Sequence, residues 1–210
     1  MESSLRALMI LLLTAGVAAC DKSKLPSEQA NAVAGAATGG EVAPTSGEVK
    51  GGAPGRKGGF DYRIDRSKAG TPAPDLAFLD PDGRETNLKA FAGRPMLVNL
   101  WATWCTPCVA EMPTLDRIAG TQGATGLAVL TISQDNQGAK AVKPFFEKHK
   151  LPNLKAWTDP ENRLGFHYAT GLLPTTIVYD AKGREMARVI GAMDWEGEEA
   201  KNLIAEATAG

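Results

Sequence analysis

Apolar side chains are spread unevenly along this chain, and the unevenness divides it. Leu8 to Ala19 form one apolar run, LMILLLTAGVAA, behind a short segment containing Arg6. Residues 21–59 hold almost no large apolar side chain; Ala, Gly, Pro, Ser and Glu dominate, as in AVAGAATGGEVAPTSGEVKGGAPGRKGG. Such a stretch buries too little surface to offset the entropy of ordering its backbone, so a flexible tether is expected there. A coil of about 40 residues spans roughly 35 Å root-mean-square.

From Phe60 onward apolar residues return with the periods of regular structure. Asp75–Asp80 and Arg84–Leu88 flank Pro81-Asp82-Gly83, a turn sequence that predicts a β-hairpin. Pro95–Trp101, PMLVNLW, is nearly continuous in apolar residues, as a strand buried on both faces would be. Cys108, Met112, Leu115 and Ala119 then recur at helical spacing, with Pro113 inside the pattern as a kink. Leu127–Ile132 predicts a second strand, and Gln137–Lys150 a second helix with Val142, Phe145, Phe146 and His149 inward. A short strand near Leu154–Trp157 and a short helix over Pro160–Tyr168 follow. Thr175–Tyr179 and Glu185–Ile190 form a hairpin, and Asp194 is placed to cap a last helix with Ala200, Leu203, Ile204 and Ala207 on one face. This order predicts an α/β domain over residues 60–210, its central sheet covered on both faces.

A length of 210 residues and an apolar fraction of 43% suit one domain with an extension. The formal net charge of −1, with acids and bases interspersed, lacks the basic footprint of a nucleic-acid binder. Three cysteines are too few for a disulfide-stapled scaffold. Cys20 ends the first apolar run, which has the layout of a secretory h-region and is short of the ~20 residues a membrane span needs. Val17-Ala18-Ala19-Cys20 resembles a bacterial lipobox, which implies lipidation of Cys20, and Asp21 after it implies retention at the inner membrane. The alternative is a signal peptide or uncleaved anchor in which Cys20 is incidental. Residues 1–20 are therefore read as signal or anchor, and 21–59 as tether.

Cys105 and Cys108 lie two residues apart where the apolar strand gives way to a helix, the arrangement of a dithiol/disulfide redox site. Only a thiolate attacks a disulfide, and unpaired N–H groups with the positive dipole end at a helix start favour that anion. Cys105 occupies that place and is the expected nucleophile; Cys108, one turn in, is the expected resolving cysteine. Pro107 removes an N–H that would be unpaired anyway and stiffens the loop. A lone CxxC is also half of a zinc site, but the only histidines, His149 and His167, are distant and unsuitably spaced, so no metal is expected.

WATWCTPC, preceded by an apolar strand and followed later by Gly171-Leu172-Leu173-Pro174-Thr175-Thr176, resembles the thioredoxin fold and, within it, the membrane-tethered TlpA/ResA-type thiol:disulfide oxidoreductases. The resemblance implies a thioredoxin fold with an N-terminal β-hairpin and a central βα insertion, and no cofactor beyond the Cys105–Cys108 disulfide. It implies that Pro174 is a cis-proline beside the dithiol and that Leu173 offers backbone hydrogen bonds to a substrate strand. Trp104, Thr106 and Pro107 complete the implied substrate contacts, and Trp101 fits either the frame of the loop or the core. Asn99 stands where ordinary thioredoxins carry a buried aspartate, and asparagine carries no proton. Glu111 matches the glutamate of the WCxPCxxE pattern, which implies that it manages the proton and raises the cysteine pKa values; the alternative is a solvated helix residue. Trp157 and Trp195 have no motif around them and are expected in the core.

The implied function is reduction of particular protein disulfides at the periplasmic face of a bacterial inner membrane. Apocytochrome c or copper-site and copper-chaperone cysteines are the implied substrates, and a membrane electron donor the implied source of reducing equivalents. The competing readings are a disulfide-donating oxidase and a non-catalytic copper-handling module; a peroxide-reducing role fits less well, because the CxxC replaces a single peroxidatic cysteine.

Overall fold

The computed structural model describes residues 55–57 and 59–209. Cys20, the first apolar run and most of the expected tether lie outside the described residues.

The strands are β1 (Gly55–Lys57), β2 (Phe60–Asp65), β3 (Phe78–Leu79), β4 (Glu85–Thr86), β5 (Met96–Trp101), β6 (Ala128–Ser133), β7 (Trp157–Thr158), β8 (Thr175–Tyr179) and β9 (Glu185–Gly191). Among the described residues they form one mixed sheet in the order β1-β2-β9-β8-β5-β6-β7-β3-β4. β6 runs parallel to β5 and to β7, while β8 is antiparallel to β5 and β9. The helices are α1 (Thr106–Gly120), α2 (Gln122–Thr125), α3 (Ala139–His149), α4 (Arg163–Tyr168) and α5 (Glu198–Ala209). This is a thioredoxin-like α/β fold, with β7 and α4 as the central insertion.

β5 explains why the sheet needs cover on both sides, since all six of its residues are buried. Leu97 and Trp101 join a core under α1, α3 and α5, containing Met112, Leu115, Phe146 and Leu203. Met96, Val98 and Leu100 point the other way, into a core with Leu88, Leu130, Leu164, Ile177 and Tyr179. Because strand side chains alternate, Asn99 shares the face of Leu97 and Trp101 and sits beneath α1.

Several expectations need correction. The folded part begins before Phe60, because β1 pairs in register with β2 through Gly55–Tyr62, Arg56–Asp61 and Lys57–Phe60; backbone pairing requires no large apolar side chain. Leu88 opens a 3-10 turn, Leu88–Phe91, instead of ending the hairpin strand, since Asn87 caps it by accepting from Lys89 N–H. His149, expected inward, is exposed at the end of α3 with its ring stacked 4.2 Å from that of Phe145. Asp194 does not cap α5: its side chain accepts from Glu196 N–H and its carbonyl from Gly197 N–H, closing a turn ahead of the helix. Among the described residues no helix is long and apolar enough to cross a membrane.

Candidate active site

β5 ends at Trp101, and the chain turns through Ala102–Trp104 before α1 begins. Asp135, buried beyond the end of β6, holds that turn: its carboxylate accepts from Thr103 N–H at 2.9 Å, Thr103 Oγ1 at 2.7 Å and Ser133 Oγ at 2.7 Å. Cys105 is the N-cap of α1, its extended backbone (φ −88°, ψ 100°) placing Sγ 3.3 Å from Cys108 N–H, which donates to it. The two cysteines form a disulfide with an S–S distance of 2.03 Å. Cys105 keeps 7% of its surface and Cys108 none, so Cys105 alone meets an incoming sulfur. A Cys105 thiolate here gains the Cys108 N–H and the positive end of a four-turn helix.

Across from the dithiol, the Leu173–Pro174 peptide is cis. Pro174 is buried and its carbonyl accepts from Gly191 N–H at 3.0 Å. Gly191 has φ +102°, and a Cβ there would lie 2.3 Å from the Asp61 carbonyl oxygen, so only glycine brings β9 this close to β2. Between the loops lies a groove of about 670 Å³, walled by Trp104, Cys105 and Pro107 on one side and by Phe166, Leu172 and Leu173 on the other. Trp104, Phe166 and Leu172 are 71%, 76% and 59% exposed, and all three line this groove. Among the described residues no charged side chain lines it. Thr106 is exposed at the helix start but outside the groove lining, and Pro174 lies behind Leu173. Trp101 belongs to the core, stacked 5.5 Å from Phe146.

Glu111, three residues beyond Cys108 in α1, is fully buried. Oε1 accepts from Asn99 Nδ2 at 2.7 Å; Oε2 accepts from Met193 N–H at 3.0 Å and from Trp195 Nε1–H at 3.1 Å. Asn99 Nδ2 also donates to Thr176 Oγ1 at 2.9 Å. Burial pushes the Glu111 carboxyl up to about 7, against the pull of the Met193, Asn99 and Trp195 donors, which favour the anion. It is therefore not a solvated helix residue but an acid that titrates near neutrality inside the core.

The fold draws Cys105, Cys108, Asn99, Glu111, Trp104, Pro107, Leu173 and Pro174, all singled out in the sequence, into one region. Sequence reasoning missed Asp135, Phe166 and the donor role of Trp195. Each acts through a partner distant along the chain, such as the 84-residue separation between Glu111 and Trp195, and no local spacing signals that.

The model of the Redoxin family matches residues 68–204. The thiol-disulfide oxidoreductase ResA of Bacillus cereus is 28% identical over 133 residues, 63% of this chain and 76% of that protein. The thiol:disulfide interchange protein DsbE of Pseudomonas aeruginosa is 31% identical over 123 residues, 59% of this chain and 66% of that protein. Among solved structures, the exposed lipoprotein thioredoxin of Streptococcus pneumoniae superposes with a TM-score of 0.51 at 26% identity, covering 62% of this chain and 98% of that one. With the family match spanning β3 to β9, the dithiol and its buried acid alike, the chain belongs to the Redoxin family and is a thiol:disulfide oxidoreductase of the ResA/DsbE type.

Proposed function

We propose that this oxidoreductase is an exported reductant, tethered at the periplasmic face of a bacterial inner membrane, that reduces particular protein disulfides. The observation that carries the direction of electron flow is the complete burial of Glu111 one helical turn from Cys108. A carboxylate enclosed beneath a dithiol disfavours thiolates, whereas a disulfide-donating oxidase depends on a strongly stabilised one.

The reaction runs in two exchanges. The Cys105 thiolate attacks one sulfur of the substrate disulfide, forming a Cys105–substrate mixed disulfide and releasing the other substrate sulfur as a thiolate. Cys108 then gives its proton to the Glu111 carboxylate and attacks Cys105 Sγ; the intramolecular disulfide forms and the second substrate thiolate leaves. The groove receives the chain around the target cysteine, with Trp104, Pro107 and Leu173 at its contact face, Thr106 exposed at the helix start beside them and Pro174 supporting Leu173. Reducing equivalents return from a membrane electron donor, because an oxidising compartment offers no soluble thiol pool. Apocytochrome c or the cysteines of a copper site or copper chaperone are the substrates this reading favours. The apolar run Leu8–Ala19 with the Val17–Cys20 pattern supports a lipid or signal anchor, as does a pneumococcal relative named an exposed lipoprotein.

The test is trapping. Cys108→Ser should accumulate a mixed disulfide through Cys105 with the physiological substrate, identified by mass spectrometry of the linked peptides. Trapping by Cys105→Ser alone would reverse the two roles.

A further inference from the structure

Trp195 has no motif around it, yet it is bound more specifically than a packing residue requires. The segment Met193–Trp195 is fastened to the turn of α1 that carries Glu111 at three points. Met193 N–H and Trp195 Nε1–H both donate to Glu111 Oε2. Trp195 N–H donates to Thr114 Oγ1 at 3.2 Å, and that hydroxyl donates to the Glu111 carbonyl at 2.8 Å. Trp101 makes the contrast: it is equally buried under α1, but its indole N–H has no hydrogen-bond partner among the described residues. Of these two buried indoles, only that of Trp195 is spent on an acid.

We propose that Trp195 is a positioning residue of the exchange reaction: with Met193 N–H, its indole N–H fixes the Glu111 carboxyl in one orientation beneath the dithiol and so governs how readily it takes the proton of Cys108. The proposal rests on the reading of Glu111 as proton carrier. In that step the Cys108 S–H bond breaks, the proton passes to a Glu111 oxygen and the electron pair stays on sulfur for attack on Cys105; Trp195 neither gains nor loses a proton. The groups around the acid leave this role to N–H donors. Asn99 on β5 and Thr176 on β8 carry no charge, Cys105 caps α1 and Cys108 precedes Glu111 on it, and Asp194 is half-buried between Met193 and Trp195. Tyr62 on β2 shares the same core and is engaged by Glu199 of α5 at 2.6 Å. Among the described residues no cation pairs with Glu111, whose hydrogen-bond partners are Asn99, Met193 and Trp195.

The test uses the full chain, oxidised so that its dithiol does not titrate. The chain has four tryptophans, and the Trp195 indole N–H signal is followed by nitrogen-15 NMR from pH 5 to 9. In the wild type it should shift sigmoidally with a midpoint near 7, the position to which burial brings Glu111. In Glu111→Gln it should stay flat. In reduced protein reacting with the aromatic disulfide of thionitrobenzoate, release of the second thiolate reports attack by Cys108. Trp195→Phe should move the pH midpoint of that release upward by about one pH unit, because the lost hydrogen bond favoured the carboxylate. A flat wild-type signal, with a release profile that still responds to Glu111→Gln, overturns the role of Trp195 alone. A titrating signal, with a release profile indifferent to Glu111→Gln, overturns Glu111 as the proton carrier and with it the part of Trp195 in exchange.

Discussion

Glu111 is a carboxyl enclosed by three N–H donors and shut off from water, and these two conditions oppose each other. The donors favour the anion, while desolvation favours the acid and prevails, so the group titrates near 7. Asn99 adds a donor but no second proton, which leaves Glu111 as the titrating carboxyl in this cluster. The consequence for stability has a definite sign. From pH 4.5 to about 7 the folded chain retains on Glu111 a proton that the unfolded chain has released, so this group's contribution to stability is greatest below 4.5 and is lost as pH rises through 7. The loss is about 3 kcal/mol, since each tenfold change in proton affinity between the folded and unfolded chain is worth roughly 1.4 kcal/mol. Urea unfolding of the oxidised protein at pH 5 and pH 8 should show that loss in the wild type and little of it in Glu111→Gln. Equal pH dependence in the two proteins would mean that the buried acid does not titrate in this range.

Among the elements, α4 has the clearest assignment. Asp159 accepts from Arg163 N–H and Leu164 N–H at its start, and Arg188 Nη1 donates to the Tyr168 carbonyl at its end. Arg188 also forms a bidentate pair with the buried Glu185, and the Tyr168 and Tyr179 hydroxyls share a hydrogen bond of 2.7 Å. A six-residue helix held this firmly presents Phe166 to the groove at little further entropic cost on binding. Phe166→Ala and Leu172→Ala should each raise KM for a protein disulfide several-fold, to about tenfold where ~1.4 kcal/mol of apolar burial is lost. Turnover of a small disulfide should hold steady, and so should stability, since both residues are exposed. A parallel loss with both substrates would move Phe166 and Leu172 from recognition to structure. β5, α1 and the β8–β9 hairpin were legible in the sequence because each carries its signal locally: a solid apolar run, a helical repeat after CxxC, two short apolar runs around Asp180–Gly183. The place of β1, the exposure of His149 and the start of α5 were not, because backbone pairing, one ring contact and a competing turn decide them.

At the scale of the whole molecule, the sheet separates two cores and brings the dithiol to the end of a fully buried central strand. The strand order could not be read from the chain alone, since β2 joins β9 and β3 joins β7 across long stretches of sequence. The site nevertheless depends on that order: β8 places Thr176 beside Asn99, and the chain leaving β9 delivers Met193 and Trp195 to Glu111. The fold thereby stations a buried acid one helical turn from Cys108, which is the physical basis for the proposed role as an electron donor. The most direct measurement is the reduction potential of the Cys105–Cys108 pair, by equilibration against glutathione or thiol buffers of known poise. A value near or below about −250 mV is expected, and a value near about −120 mV, that of a strong oxidant, would contradict the account.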